Sequence, residues 1–442
     1  MNHQWLYISR DDIESERLQC EQEGKDISQL GWAFKRVEKM DLTQPQSQPA
    51  AQALLDATIT LPVRSDYPHS EPSGLEEIKA ARPKRRSTRG EVKKRQLLDK
   101  LYGAWLGRIS GCLLGKPIER WISPRLWGYL KDTGQYPLQD YISVDASKAT
   151  LKKYEVDPQG WFKENVDHMP EDDDTNYTTL GLSIMKKYGR DFKPENVAEA
   201  WLNEMPILHT FTAERVAYRN LCLLIQPPAS ASYRNVHREW IGAQIRGDFW
   251  GYCCPGDPET AAEYAWRDAS ISHIKNGIYG EMWASAMIAH AFTTDDVEDI
   301  INAGLAQIPA KSRLAESVGE MIKWRKEGVS YDDTVTRIYG LWDEGRLYDW
   351  CHTISNACIV ALALLWGEDF GDSICKAVQP GFDTDCNGAT VGSILGAAQG
   401  AAKVPKKWTG IFNDALETGI SGYHRVSVKA MAEESQRLAK AD

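Results

Sequence analysis

Two strings of acidic residues carry the clearest chemistry in this 442-residue chain. The first is Glu171-Asp172-Asp173-Asp174-Thr175, set directly before a helical stretch. Three consecutive aspartates repel one another unless water or a cation neutralises them. A helix N-terminus relieves about 0.3–1 kcal/mol per charge, too little to settle all three. Alone, such a string reads as a solvated helix cap. The second string, Gly381-Phe382-Asp383-Thr384-Asp385-Cys386-Asn387-Gly388, also precedes a helix. In an extended loop Asp383 and Asp385 face the same side, as two ligands of one hard cation do. Oxygen donors select magnesium, manganese or calcium over zinc. Asp172, Asp173, Asp174, Asp383 and Asp385 together carry enough negative charge to offset two divalent cations. They form a candidate binuclear site divided between distant segments.

Helices must bring those segments together. Helical apolar spacing runs over Gln96–Leu114, Asn176–Tyr188, Pro194–Met205, Thr212–Ile225, Pro258–Ala269 and Gly277–Phe292. It continues over Asp295–Gln307, Lys311–Glu327, Tyr331–Tyr339, Ser355–Trp366, Phe370–Val378 and Asn387–Ala402. Alternating β-branched stretches are nearly absent. The expected fold class is all-α, a multi-helix bundle with any sheet minor. Gly103, Gly107, Gly111 and Gly115 fall on one ridge of the first of these helices, and Gly388, Gly392 and Gly396 on one ridge of the last. Each glycine costs about 1 kcal/mol against alanine inside a helix. The two ridges are therefore expected to meet at the centre of the bundle.

The first 95 residues read differently. Residues 1–43 allow one or two helices. From Gln44 to Pro83 the prolines Pro45, Pro49, Pro62, Pro68, Pro72 and Pro83 oppose helix continuation, so an irregular segment is expected. A basic run follows: eight of the 52 basic residues lie between Arg82 and Arg95, with Glu91 the only acid among them. We place a boundary near residue 95. It separates an N-terminal extension (1–95), with its Pro-rich segment and basic linker, from a helical domain (96–442). The extension is expected to dock or tether rather than complete the core, so a chain beginning near Glu91 is expected to fold.

Net charge is −10, and the acidic surplus lies wholly outside the basic window. A body that acidic is a poor general nucleic-acid binder. No apolar run approaches the 18 residues of a membrane span. Met1 to Glu16 lacks the apolar core of a signal peptide. Nine scattered cysteines without CxxC pairs point to a reducing compartment and buried free thiols. The expected protein is cytoplasmic, monomeric and without a membrane partner; the basic linker leaves a nuclear address open.

Gly103-Ala104-Trp105-Leu106-Gly107 with Gly111-Cys112-Leu113-Leu114-Gly115-Lys116-Pro117-Ile118-Glu119 resembles the opening helix of the ADP-ribosylglycohydrolases, relatives of dinitrogenase-reductase-activating glycohydrolase. The first acidic string resembles their Thr-Asp-Asp-Thr motif, and Gly381 to Asn387 their Gly-Gly-Asp-Thr-Asp-Thr-Asn motif. Between them Gly242-Ala243-Gln244-Ile245-Arg246 resembles a ligand-cradling Gly-rich loop, and Ser272-His273 a Thr/Ser-His pair. Order and spacing agree over about residues 97–402. The resemblance implies an all-α, multi-helix orthogonal bundle with a central metal cleft holding two magnesium or manganese ions. It also implies cleavage of the glycosidic bond at ribose C1″ of an ADP-ribosylated protein or small molecule. It carries metal binding onto Asp172, Asp173, Asp174, Asp383 and Asp385. Substrate binding falls on Gly242, Gln244 and His273, and catalysis on Glu119, Asp173 and Asp174. Three departures stand out. Asp172 and Cys386 replace threonines, and Arg108 stands where aspartate is common. Another N-glycosidase with the same metal site and a non-catalytic ADP-ribose binder both remain open readings.

Overall fold

The computed structural model of the protein describes residues 7–84 and 89–439. The middle of the basic run, residues 85–88, lies outside the described residues. The architecture is all-α; the strands Ala415–Glu417 and Arg425–Ser427 form one short antiparallel hairpin. Pro258–Ala269 and Phe370–Val378 fall on their expected bounds, and most other helices agree to within a few residues. Two helices start three residues earlier than their apolar spacing indicates. One begins at Asp173, because the Asp172 side chain caps it by accepting from the Asp174 N–H at 2.9 Å. The other begins at Thr384, with Asp383 at its N-cap, so Asp383 and Asp385 sit on a helix start rather than in an extended loop. Among the described residues no helix is long and apolar enough to cross a membrane. The cysteines are free, and only Cys222 is exposed.

The centre is the antiparallel contact between the Lys94–Gly115 and Thr384–Gln399 helices. The missing Cβ atoms describe it. A Cβ on Gly103 would lie 2.4 Å from the Gly396 carbonyl oxygen, on Gly107 2.0 Å from that of Gly392, and on Gly111 1.8 Å from that of Gly388. The reciprocal positions are equally closed. The ladder ends where Gly115 meets Thr384, whose Oγ1 donates to the Gly115 carbonyl at 2.9 Å. Backbone therefore touches backbone along four turns, and the second acidic string is held against the residues that follow Gly115.

The Gln44–Pro83 segment is less irregular than its prolines indicate. It contains the helices Gln48–Ile59 and Leu75–Ala81. Pro49 falls in the first turn of the former, where the missing N–H has no intrahelical partner to lose. The extension has a small core of its own, with Ile13, Phe34, Leu54 and Leu55 buried together with Val236 of the body. Its attachment is ionic. Buried Arg238 pairs with Glu16 at 2.5 Å and Glu23 at 2.7 Å. Arg313 pairs with Glu71 at 2.9 Å and with the body's own Glu239 at 2.6 Å. Gln19 donates to Glu239 at 2.6 Å.

Two expectations follow. Gly111→Ala places a methyl group inside the Gly388 backbone. It should cost on the order of 3 kcal/mol or more, read as a fall in Tm by calorimetry. A chain beginning at Glu91 strips Arg238 of both of its carboxylates. Removing one partner of a buried pair costs about 3–5 kcal/mol, so the shortened protein should be strongly destabilised or insoluble. The ion pairs thus predict the opposite of the independent folding expected from the proline pattern, and a denaturant titration of the two chain lengths decides between them.

Candidate metal centre and active-site cleft

The glycine ladder opens at one end into a cleft of about 710 Å3. Asp172 and Asp173 enter it from the first turn of the Asp173–Tyr188 helix, and Asp383 and Asp385 from the start of the Thr384–Gln399 helix. Lys116 and Glu119 enter just after the opening helix. The turn into the second string is sharp, with Gly381 and Phe382 both left-handed at φ 79° and 59°. Trp350 Nε1 donates to the Phe382 carbonyl at 2.7 Å, and Asn356 Oδ1 accepts from the Asp383 N–H at 3.1 Å and from Asn387 Nδ2 at 2.8 Å.

The side chains converge on two foci. Carboxylate oxygens of Asp172, Asp173, Asp174 and Asp385 lie within 4.8 Å of one another, and so do those of Glu119, Asp383 and Asp385. Asp385 belongs to both. Cys386 Sγ turns inward, within the same distance of Asp174 and Asp385. Asp174 Oδ2 and Asp385 Oδ1 are buried without a hydrogen-bond partner. A buried acceptor left unmade costs about 1–3 kcal/mol, more if charged. Oxygen donors arranged this closely, with orphaned lone pairs, fit a hard divalent cation.

Without a cation the carboxyl groups resist ionisation. Burial, then Asp172 and Asp385, push Asp173 well above the usual range. Burial, then Asp385 and Glu119, do the same to Asp383; for Asp385 burial is followed by Glu119 and Asp172. Glu119 keeps 43% of its side chain accessible. Even so, desolvation by the cleft walls, then Asp173 and Asp172, push it up to about 7. Burial raises the Cys386 thiol far above its ordinary value, with Asp174 adding to the effect.

Two cations belong to the protein itself. Lys116 Nζ pairs with Asp172 Oδ2 at 2.7 Å, and against the cost of burial it holds that carboxyl below the usual range. Arg108, fully buried, explains its own departure from the pattern. Its guanidinium pairs with Asp174 at 2.9 Å and Asp248 at 2.9 Å, and donates to the backbone carbonyls of Asp174 and Ile245. It clamps the opening helix to the first acidic helix and to the Gly-rich loop. Asp174, so held, does not line the cleft.

The substrate-side residues divide. Gly242 lines the cleft, and a Cβ there would lie 1.9 Å from Glu214. Gln244 and His273 are fully buried behind the wall and do not line it. His273 Nδ1 is 2.8 Å from Ser272 Oγ, which accepts from Arg246 at 2.8 Å. Burial, then Arg246, keep the His273 imidazole neutral by lowering its pKa well below the ordinary value. Arg246 also pairs with Glu214 at 3.0 Å and Asp268 at 3.1 Å. The pair is therefore linked to the cleft wall through Arg246 and Glu214. Glu214 is a buried carboxylate in the cleft wall that no motif in the sequence marks. Asn356 was equally silent, one amide in an apolar helix.

The family model for ADP-ribosylglycohydrolase matches residues 93–439. No curated protein matches the chain. Among solved structures, one titled "ADP-ribosylglycohydrolase-related protein complex" is similar at 16% identity and a TM-score of 0.45. The match covers 78% of this chain and 97% of that one. The protein belongs to the ADP-ribosylglycohydrolase family. Membership supports a glycohydrolase as its broad class of activity.

Asp385, common to both foci, is the informative substitution. Asp385→Asn removes one of several crowded like charges, so Tm in chelator should stay level or rise. The Tm gain that magnesium or manganese gives the wild type, through binding only the folded state, should be lost. Differential scanning fluorimetry with and without each metal reads both effects.

Proposed function

We propose that this protein is a metal-dependent ADP-ribosylhydrolase that cleaves the bond at ribose C1″ of an ADP-ribosylated protein or small molecule. The observation that carries the reading is the meeting of the two acidic strings at one cleft, with Asp385 shared between the foci. Asp172, Asp173, Asp174 and Asp385 would hold one divalent cation, and Glu119, Asp383 and Asp385 a second, magnesium or manganese by donor chemistry. When bound, such ions supply positive charge that orients a diol and acidifies water.

The chain's own groups do the rest. Glu119 is the most accessible carboxylate of the centre and takes the proton of the attacking water at its carboxylate oxygen. Asp173, half-buried in the wall, positions that water. Asp174 is pinned by Arg108, and its unpartnered oxygen would be offered to the cation rather than to the substrate. Gly242 leaves room in the cleft wall for the Glu214 carboxylate, which a side chain there would displace. Glycosidic cleavage develops oxocarbenium character at C1″, and the carboxylates around the site stabilise that charge.

The test is release of free ADP-ribose from substrates of defined linkage, in chelator and with added magnesium or manganese. Glu119→Gln and Asp173→Asn should each lower kcat by about 10²-fold or more while the circular dichroism spectrum is retained. Metal-independent release, or full turnover in both variants, would overturn the reading. If wild type binds ADP-ribose without releasing any product, the non-catalytic alternative is the correct one.

A further inference from the structure

A second cavity, of about 270 Å3, lies between the N-terminal extension and the Thr212–Cys222 helix. Thr212 and Arg215 line both it and the main cleft, so the two share a wall. Its charge is opposite to that of the metal centre. Arg215, Arg219 and Arg234 line it against a single carboxylate, Asp12, which His237 Nε2 engages at 3.2 Å. In a chain of net charge −10 this concentration of cationic side chains is unusual.

Like charges repel, and the carboxylates nearby meet them unequally. Arg234 is gripped in a two-pronged pair by Asp56 of the extension, at 2.7 and 2.6 Å. Arg219 makes no ion pair with a carboxylate among the described residues; its Nε and Nη2 donate to Asn220 Oδ1 at 3.3 and 3.0 Å. Burial, then the neighbouring Arg234, push its pKa below the ordinary value, against a smaller opposing pull from Tyr233 and Asp12. Two residues of the same wall stand in the left-handed region, Thr212 at φ 38° and Arg234 at φ 49°. Such a conformation costs about 1–3 kcal/mol per residue and persists where the surroundings impose it, ligand clamps included. For β-branched Thr212 it is a genuine outlier.

We propose that this cavity is an oxyanion subsite, built jointly by the extension and the Thr212–Cys222 helix, that takes a phosphoryl group of the substrate lying in the adjoining cleft. The inference rests on the reading of the protein as an ADP-ribosylhydrolase, whose substrates carry two phosphates. Guanidinium forks match phosphate oxygens in pairs of parallel hydrogen bonds. The phosphoryl group has two possible sources: the diphosphate of the ADP-ribosyl group itself, or a phosphate on the molecule that carries it. The extension, which falls outside the matched family span, thereby becomes part of substrate selection.

Isothermal titration of the full-length protein with inorganic pyrophosphate, in chelator so that no metal intervenes, reads the subsite directly. Wild type should bind, and Arg219→Gln should weaken binding by about tenfold or more, as loss of charged hydrogen bonds does. Arg219→Gln relieves the push from Arg234 and should leave Tm unchanged. Arg219→Lys, which keeps the charge and loses the fork, should fall between the two and serves if the first variant misfolds. Repeating the titration with saturating ADP-ribose separates the sources. Lost pyrophosphate binding assigns the pocket to the substrate's own diphosphate, and retained binding to a phosphate on the carrier. Absence of pyrophosphate binding in wild type, or equal affinity in folded Arg219→Gln, would overturn the subsite. Failure of ADP-ribose to bind or be released would instead sink the hydrolase reading, because the pyrophosphate titration stands without it.

Discussion

Contact of backbone with backbone between two glycine-lined helices is the constraint on which the rest of the molecule depends. At Gly103–Gly396, Gly107–Gly392 and Gly111–Gly388 there is no room for even one methyl group. A close antiparallel pair sets the register of the two helices residue by residue. It therefore decides which residues meet at their ends: Gly115, followed by Lys116 and Glu119, against Thr384, flanked by Asp383 and Asp385. The conformational cost of seven glycines in two helices is offset by this placement. A looser, side-chain-mediated packing would leave the second acidic string free to slide relative to the first.

The same ladder creates an electrostatic problem. Five aspartates and Glu119 crowd a largely buried cleft end, and most of them are driven toward the neutral form. The protein answers only in part. Lys116 settles Asp172, and Arg108 settles one oxygen of Asp174 while tying three segments together. Among the described residues the focus formed by Glu119, Asp383 and Asp385 has no such partner beyond Arg120, 4.0 Å from Glu119 and exposed. Arg108 thus takes a structural role at a position where the family pattern has an acid. Cys386 points into the centre as a protonated thiol, a poor partner for a hard cation beside so many oxygens.

The N-terminal extension belongs to the same physical unit. Its carboxylates Glu16, Glu23 and Glu71 neutralise Arg238 and Arg313 inside the body, a bargain that holds only when every partner is present. Its Asp56 orients Arg234 in the second cavity, which shares Thr212 and Arg215 with the cleft. Stability and the shape of the binding surface are therefore coupled through one segment.

Residue order by itself determined the helical class, most helix positions, the two acidic strings and the meeting of the glycine ridges. Each of these is written in local periodicity or in spacing along one chain segment. It also marked Lys116 to Glu119 through a short motif. What only the tertiary structure decided lies in contacts between residues far apart in the chain. Glu214, Asn356 and Asp248 carry no local signature and acquire their roles from Arg246, Asp383 and Arg108. Gln244 and His273 sit in recognisable motifs, yet packing places them behind the cleft wall rather than on it. The proline-punctuated extension reads as a tether, because prolines signal interrupted helices but say nothing of the buried ion pairs made with residues some two hundred positions away. Periodicity reports which face of an element is buried; it does not report against what, and charge pairing across the fold is set by that second fact.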